Sequence, residues 1–190
     1  ADELGKLTGR PENFLVAPPF QPVHLQPLVE LVPGPETDPA VLARARALLD
    51  TLGRQVVTLK KSVPGFLVNR FAQALFRESL DLLEKGVAEP ADIDRAVKYA
   101  VGLRYASIGL LEYFDAVGFE LERAIAENVY PTLCGTTQIQ DIVQEGIRTG
   151  KTGQKAGEGL YQWTEASLAD FRVRLQEPFM KSVESWSARL

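Results

Sequence analysis

Four places in this sequence carry residue types that could do chemistry. His24 is the only histidine, and an imidazole can serve as a general base or as a metal ligand. No Cys or Glu pair at metal-ligand spacing accompanies it, which argues against a metal site. With Pro22 and Pro27 on either side, it also reads as an ordinary loop residue. Glu30 stands inside the apolar run Leu28–Val32, LVELV. A carboxylate there either orients a neighbouring base or occupies the exposed face of an alternating strand, and spacing leaves both readings open. Asn69 and Arg70 follow Pro64-Gly65-Phe66 inside an apolar helical run, where a polar pair satisfies nearby backbone or faces a site. Finally, TGKTGQKAGEG at 149–159 holds four glycines and two lysines. Glycines let backbone N–H groups approach an anion closely, so phosphate is the ligand to consider. The loop is neither a GKS/GKT phosphate loop after a strand nor a G-x-G-x-x-G opening a helix. No dinucleotide fingerprint occurs anywhere, so the chain is not expected to bind a nicotinamide cofactor unaided.

The elements that must position these residues are legible from periodicity. Over Ser62–Gly86, Phe66, Leu67, Phe71, Leu75, Phe76, Leu80, Leu82 and Leu83 recur mostly at steps of three and four. That spacing predicts one long helix with a buried apolar face, Ser62 as its cap, Pro64 in its first turn and Gly86 as a left-handed stop. Upstream, residues 1–13 are polar, with a turn at Gly9-Arg10-Pro11. Phe14–Ala17 and Leu28–Val32 read as short strands, separated by a proline-crowded loop or edge segment at 18–27. Thr37 or Asp38 caps a helix from Pro39 to about Leu52, and Gln55–Leu59 is a third strand. Three short strands make a poor sheet alone, so the first 60 residues or so look like the tail of a larger α/β unit. Everything after Ser62 reads as helical. A helix starts at Pro90, a glycine-punctuated connection spans Gly102–Gly109, and helices follow at Gly118–Thr132, Thr137–Arg148 and Ser167–Ala188, the last broken or kinked near Pro178.

Composition bounds the rest. At 190 residues the chain can form one domain, or a small domain plus part of another. A net charge of −4 does not suggest a nucleic-acid-binding surface. The longest apolar runs fall far short of a membrane span, and the N-terminus lacks the basic and apolar regions of a signal peptide. Cys134 is the single cysteine, so no intrachain disulfide is expected and a reducing cytoplasm is the default.

Several segments together resemble the NAD-dependent 3-hydroxyacyl-CoA dehydrogenase family, specifically its C-terminal half. PGFLVNR at 64–70 resembles the family's PGF-(I/V)-x-NR motif. LLEKGVAEPADIDRAVKYAVGLR at 82–104 resembles its EEGVAS-PEDIDxA…GxG segment. GLLEYFDAVG at 109–118 resembles its GPxExxDxxG turn, with Leu110 at the usual proline. GQKAGEGLYQW at 153–163 resembles GxKxGxGFYxY, and FLVAPPFQPVHLQPLVELVPG at 14–34 resembles the stretch carrying FxxxHPFNPPxxxPLVEVV.

The resemblance implies a mainly α fold. A helical bundle of the 6-phosphogluconate dehydrogenase C-terminal type, residues 63–190, would bind substrate and dimerise. A short α/β remnant of a Rossmann domain, residues 1–62, would precede it, with the rest of that domain and its NAD site outside this chain. It implies NAD-linked oxidation of a 3-hydroxyacyl-CoA or related hydroxy acid in fatty-acid metabolism, by a homodimer. In the family a histidine takes the hydroxyl proton, a glutamate orients it, and an asparagine lies beside the reacting carbon. Glu30 matches the glutamate and Asn69 the asparagine. Gln21 stands where the family has asparagine, and Gln21, Asn69 and Lys155 are the implied substrate contacts. The histidine position falls on Pro18, which has no titratable group. His24 is six residues further on, up to roughly 20 Å away in an extended chain. The alternative the resemblance leaves is a non-catalytic dimerisation or acyl-CoA-binding module.

Overall fold

A computed structural model describes residues 2–187. They divide into two units, one of residues up to 70 with those from 164 onward, the other of residues 71–163.

The first unit opens with a short helix, α1 (Asp2–Lys6), and is built on a three-stranded sheet ordered β1 (Leu15–Val16), β2 (Leu28–Pro33), β3 (Gln55–Thr58). β1 runs antiparallel to β2, with Leu15 opposite Pro33 and Val16 opposite Val32. β1 stops before Pro18 and Pro19, which have no N–H to give a ladder. β2 runs parallel to β3, from Leu28 opposite Gln55 to Leu31 opposite Thr58. Parallel strands need a crossover, supplied by α2 (Pro39–Thr51). The expected cap is present, since the Asp38 carboxylate accepts the Ala40 N–H at 2.7 Å with Pro39 in the first turn. Thr37 ties this corner to β1 by donating its hydroxyl to the Phe14 carbonyl and accepting the Gly34 N–H. As the middle strand, β2 carries the deepest side chains of the sheet, with Glu30, Leu31 and Val32 all buried.

The long helix does not begin where local signals place it. α3 spans Val68–Glu84. Ser62 is not its cap, and Pro64-Gly65-Phe66 forms a turn ahead of it, with Gly65 at φ +78° and Phe66 at φ +49°. Both lie in the left-handed region, which a helix cannot contain. The C-terminal end does follow expectation. Gly86 is left-handed at φ +66°, and the Gly86 and Val87 N–H groups bond the Leu83 and Leu82 carbonyls. The apolar face expected to be buried is not. Leu80 is buried, but Phe71, Leu75 and Phe76 are 57%, 45% and 40% exposed.

In the second unit, α4 (Pro90–Ala96) runs on through a π-helical turn, Val97–Gly102, into α5 (Leu103–Tyr105). The expected connection from Gly102 therefore starts later, because Gly102 keeps a helical φ of −63°. The stretch read as a turn at 109–118 is instead a helix, α6 (Leu110–Val117), whose Glu112 carboxylate accepts the Gly109 N–H. Gly118, at φ +100°, separates it from α7 (Phe119–Val129), and a 3₁₀ turn at Tyr130–Thr132 ends the run at Pro131. α8 (Asp141–Thr149) begins four residues later than periodicity suggests. Three polar contacts fasten its approach to α3. Glu78 accepts the Cys134 N–H, Gln140 Nε2 donates to the Arg77 carbonyl, and Glu84 accepts the Ile142 N–H. The last helix, α9 (Glu165–Ser187), belongs to the first unit and continues as one helix through Pro178, where the sequence predicts a break or kink. Ala188 lies outside the described residues.

Candidate active site

Glu30 is the one charged side chain among the deepest buried residues, with 1% of its surface exposed. A buried carboxylate is costly unless its oxygens are bonded. Here Oε1 accepts two backbone N–H groups, from Leu67 at 2.8 Å and Val68 at 3.1 Å. These are among the first amides of α3, which have no partner inside the helix. The cap of α3 is thus a carboxylate on β2, 37 residues upstream. The left-handed pair Gly65-Phe66 lets the chain turn sharply enough to present both amides. Arg70 Nη1 closes the turn by donating to the Pro64 carbonyl at 3.3 Å. Of the two sequence readings of Glu30, the exposed strand face is excluded.

Asn69 sits in the first turn of α3, next to Val68, with its side chain exposed. Glu30 and Asn69 are therefore brought to one corner by the helix start. Pro18 is half-buried beyond the end of β1. The β1–β2 register, continued two residues past Val16, puts Pro18 level with Glu30. Gln21 and His24 lie in the exposed turn that follows, and neither shares a hydrogen bond with Glu30.

The glycine-lysine loop does not present its amides to a ligand. The Gly153 N–H donates to Glu158, Ala156 to Gly153, Gly157 to Gln154, Gly159 to Tyr161 and Trp163 to Gly157, all through backbone carbonyls. Lys151 pairs with Glu158 at 2.6 Å, which holds that carboxyl below its ordinary range. A Cβ on Gly159 would lie 2.8 Å from the Gly153 Cα, so glycine there serves close backbone packing. Lys155 is exposed on a 3₁₀ turn and makes no ion pair among the described residues. Two features escape sequence reading. Tyr161 donates its hydroxyl to Asp94 Oδ2 at 2.7 Å; partial burial and then this carboxylate push the phenol up to about 12. The Arg104 guanidinium stacks over the Tyr113 ring at 4.6 Å. The first pairing has no short-range sequence signal, since Asp94 and Tyr161 are 67 residues apart.

Residues 65–163 match the 3-hydroxyacyl-CoA dehydrogenase, C-terminal domain, and residues 1–62 match the 3-hydroxyacyl-CoA dehydrogenase, NAD binding domain. The chain belongs to the 3-hydroxyacyl-CoA dehydrogenase family. Within it, 5-formyl-3-hydroxy-2-methylpyridine 4-carboxylate 5-dehydrogenase of Mesorhizobium japonicum is 33% identical over 81% of this chain and 50% of its own length. L-carnitine dehydrogenase of Staphylococcus epidermidis is 36% identical over 62% of this chain and 37% of its own. The chain thus spans about half the length, or less, of these curated relatives. The crystal structure of a 5-formyl-3-hydroxy-2-methylpyridine 4-carboxylic acid 5-dehydrogenase, described as an NAD⁺-dependent dismutase, superposes with a TM-score of 0.89 at 30% identity, over 95% of this chain and 59% of that one. A 3-hydroxyacyl-CoA dehydrogenase of Archaeoglobus fulgidus superposes at 0.62 and 30% identity, over 94% and 62%.

Membership of this family implies NAD. The described residues do not supply its phosphate cradle. No glycine fingerprint is present, and the N-terminus of α2, the helix of the β2–β3 crossover, is filled by the Asp38 carboxylate. None of the helices described is long and apolar enough to cross a membrane.

Proposed function

We propose that this chain is part of an NAD-linked dehydrogenase that oxidises a 3-hydroxyacyl-CoA or a related hydroxy acid. Residues 1–62 then form the end of its cofactor domain, and residues 63–190 its substrate-binding and dimerisation domain. The observation that carries this is the pinned Glu30 carboxylate at the start of the helix bearing Asn69. The relatives' names favour a small hydroxy acid over a CoA ester, since L-carnitine is itself a 3-hydroxy acid. A place in fatty-acid metabolism would follow from a CoA preference. Gln21, Asn69 and Lys155 are the proposed substrate contacts. The exposed apolar residues Phe71, Leu75 and Phe76 on α3, with Leu111 and Phe119, support a homodimer, which sedimentation at tens of micromolar protein tests.

A second reading, a non-catalytic module, is favoured by one observation, proline at the histidine position. The deciding experiment measures kcat with NAD for the full-length parent, Pro18→His and Pro18→Ala, on L-carnitine and on a 3-hydroxyacyl-CoA. The dehydrogenase reading expects Pro18→His to exceed Pro18→Ala, by about 10²–10⁴-fold if no other base operates. Absence of turnover in every variant would leave the non-catalytic module.

A further inference from the structure

We infer that the helical unit, residues 71–163, has no hydrophobic core of its own, and that the same unit of a second copy completes it, so that folding and pairing of this unit are one event. The inference rests on the homodimer proposed above and is independent of the chemistry. A domain carries its own apolar core. In this unit, every residue of which is described, the buried residues are Leu80, Cys134 and Gln140. Five of its helices each leave a large apolar side chain more than half exposed: Phe71 on α3, Leu103 on α5, Leu111 on α6, Phe119 on α7 and Ile147 on α8. The ties inside the unit are polar instead. Glu78 and Glu84 on α3 accept the Cys134 and Ile142 amides, Arg77 donates to the Thr136 carbonyl, and Tyr161 donates to Asp94. Hydrogen bonds of this kind contribute little net and do not offset the entropy of an ordered chain without apolar burial.

The exposed area points the same way. The chain exposes 13903 Å², where a compact monomer of 20.9 kDa exposes about 9,000 Å². The excess, about 5,000 Å², is more than one obligate interface takes from a chain, about 1,000–2,500 Å² of its two-sided area. Two partners are therefore called for. The rest of the family's cofactor domain, which lies outside this chain, accounts for one, and its place is the sheet, whose three strands all belong to the first unit. The helical unit needs the other. A surface without which a unit cannot fold must be supplied whenever the chain is made, and a second copy always is. Across a two-fold axis each half core faces its own match, and obligate interfaces have this character of a domain core cut in half.

The test uses the full-length protein in a urea series, repeated at protein concentrations tenfold apart. Sedimentation reads the mass, and pulsed deuterium labelling reads unfolding of peptides from 71–163 separately from those of the sheet. The expected result is a dimer whose dissociation coincides with loss of protection across 71–163. The midpoint of that single transition should rise by about 0.5 M urea for each tenfold rise in concentration. Leu111→Glu is the second arm. A solvated leucine tolerates glutamate, whereas one in a shared core does not. The variant should lose the dimer and the protection of 71–163 together, while the peptides covering β2 and β3 stay protected. A dimer that dissociates into monomers still protected over 71–163 overturns the inference and leaves the homodimer standing. So does a Leu111→Glu dimer as stable as the parent. A monomer at every concentration, with a midpoint that does not move, overturns both. The Pro18 series above reads the dehydrogenase chemistry separately from all of these outcomes.

Discussion

The corner at Glu30 and the loop at 150–163 look alike in sequence and differ in what they leave available. Each joins glycines to charged residues in a polar interruption of apolar helix and strand. In the loop, five backbone amides bond its own carbonyls and Lys151 pairs with Glu158, so little is left for a ligand beyond Lys155. At the corner, one carboxylate oxygen answers two helix amides that lie 37 and 38 residues further along the chain. Glycine-rich polarity is therefore a weak guide to a site. What separates the two regions is whether polar groups close on one another locally or across a long separation.

The contrast can be broken by mutation. The largest effect is expected at Glu30. Glu30→Ala strands two helix amides and should cost about 3 kcal/mol, whereas Glu30→Gln, still an acceptor, should cost about 1 kcal/mol or less. Denaturant unfolding of the two variants checks this, and equal losses would mean that the cap is not what Glu30 contributes. Gly159→Ala comes next. Its Cβ would meet the Gly153 Cα at 2.8 Å, backbone against backbone, so the loop must shift. About 1–3 kcal/mol is expected from such overpacking, and a neutral thermal melt would show the loop to be looser than described.

A smaller effect is expected at Tyr161, where Tyr161→Phe loses one partly exposed hydrogen bond to Asp94, about 1 kcal/mol. The sign of its pH dependence follows from the upward shift. The phenol, ordinarily near 10.0, is held protonated up to about 12, so its contribution is complete below pH 10 and lost as pH rises toward 12. Melts of parent and Tyr161→Phe should converge over that range. The smallest change is expected at Lys151–Glu158. The lowered Glu158 carboxyl contributes above its ordinary value of 4.5, and that contribution fades as pH falls through the depressed one. Amide signals of Gly153 and Gly159 should broaden or shift there first, and unchanged signals would show the ion pair to be incidental.

How much of this was legible in sequence depended on how far each signal reaches along the chain. Asp38-Pro39 states the start of α2 within three residues, and that start is as expected. The three strands lie on short apolar runs, two of them stopped by proline and the third stopped by the lysines Lys60 and Lys61. Ser62 and Pro64 carry good local helix signals, yet the cap of α3 lies on β2. Glycine at 102 favours a break by type, yet a single interior glycine costs a helix only about 1 kcal/mol, and α4 to α5 run through it. The exposure of Phe71, Leu75 and Phe76 was illegible for another reason, since periodicity reports which residues share a face and not what covers it. At the candidate site, alignment to the family placed Glu30 and Asn69. Only coordinates revealed that Glu30 answers Leu67 and Val68, because backbone donors leave no mark on side-chain type.

The cap on α3 has a consequence for the order in which this structure opens and closes. A helix capped by its own neighbour frays from its end at little cost. The Leu67 and Val68 amides cannot, because their acceptor sits in the middle of the sheet between β1 and β3. Solvent deuterium should therefore reach these two amides only when β2 itself detaches. Their exchange should follow that of the Leu31 and Val32 amides, although nothing in the intervening sequence links them. The first turn of α3 then behaves as a fourth partner of the sheet, docked by a side chain instead of a backbone ladder, and its late appearance during refolding would mark the moment the sheet is complete.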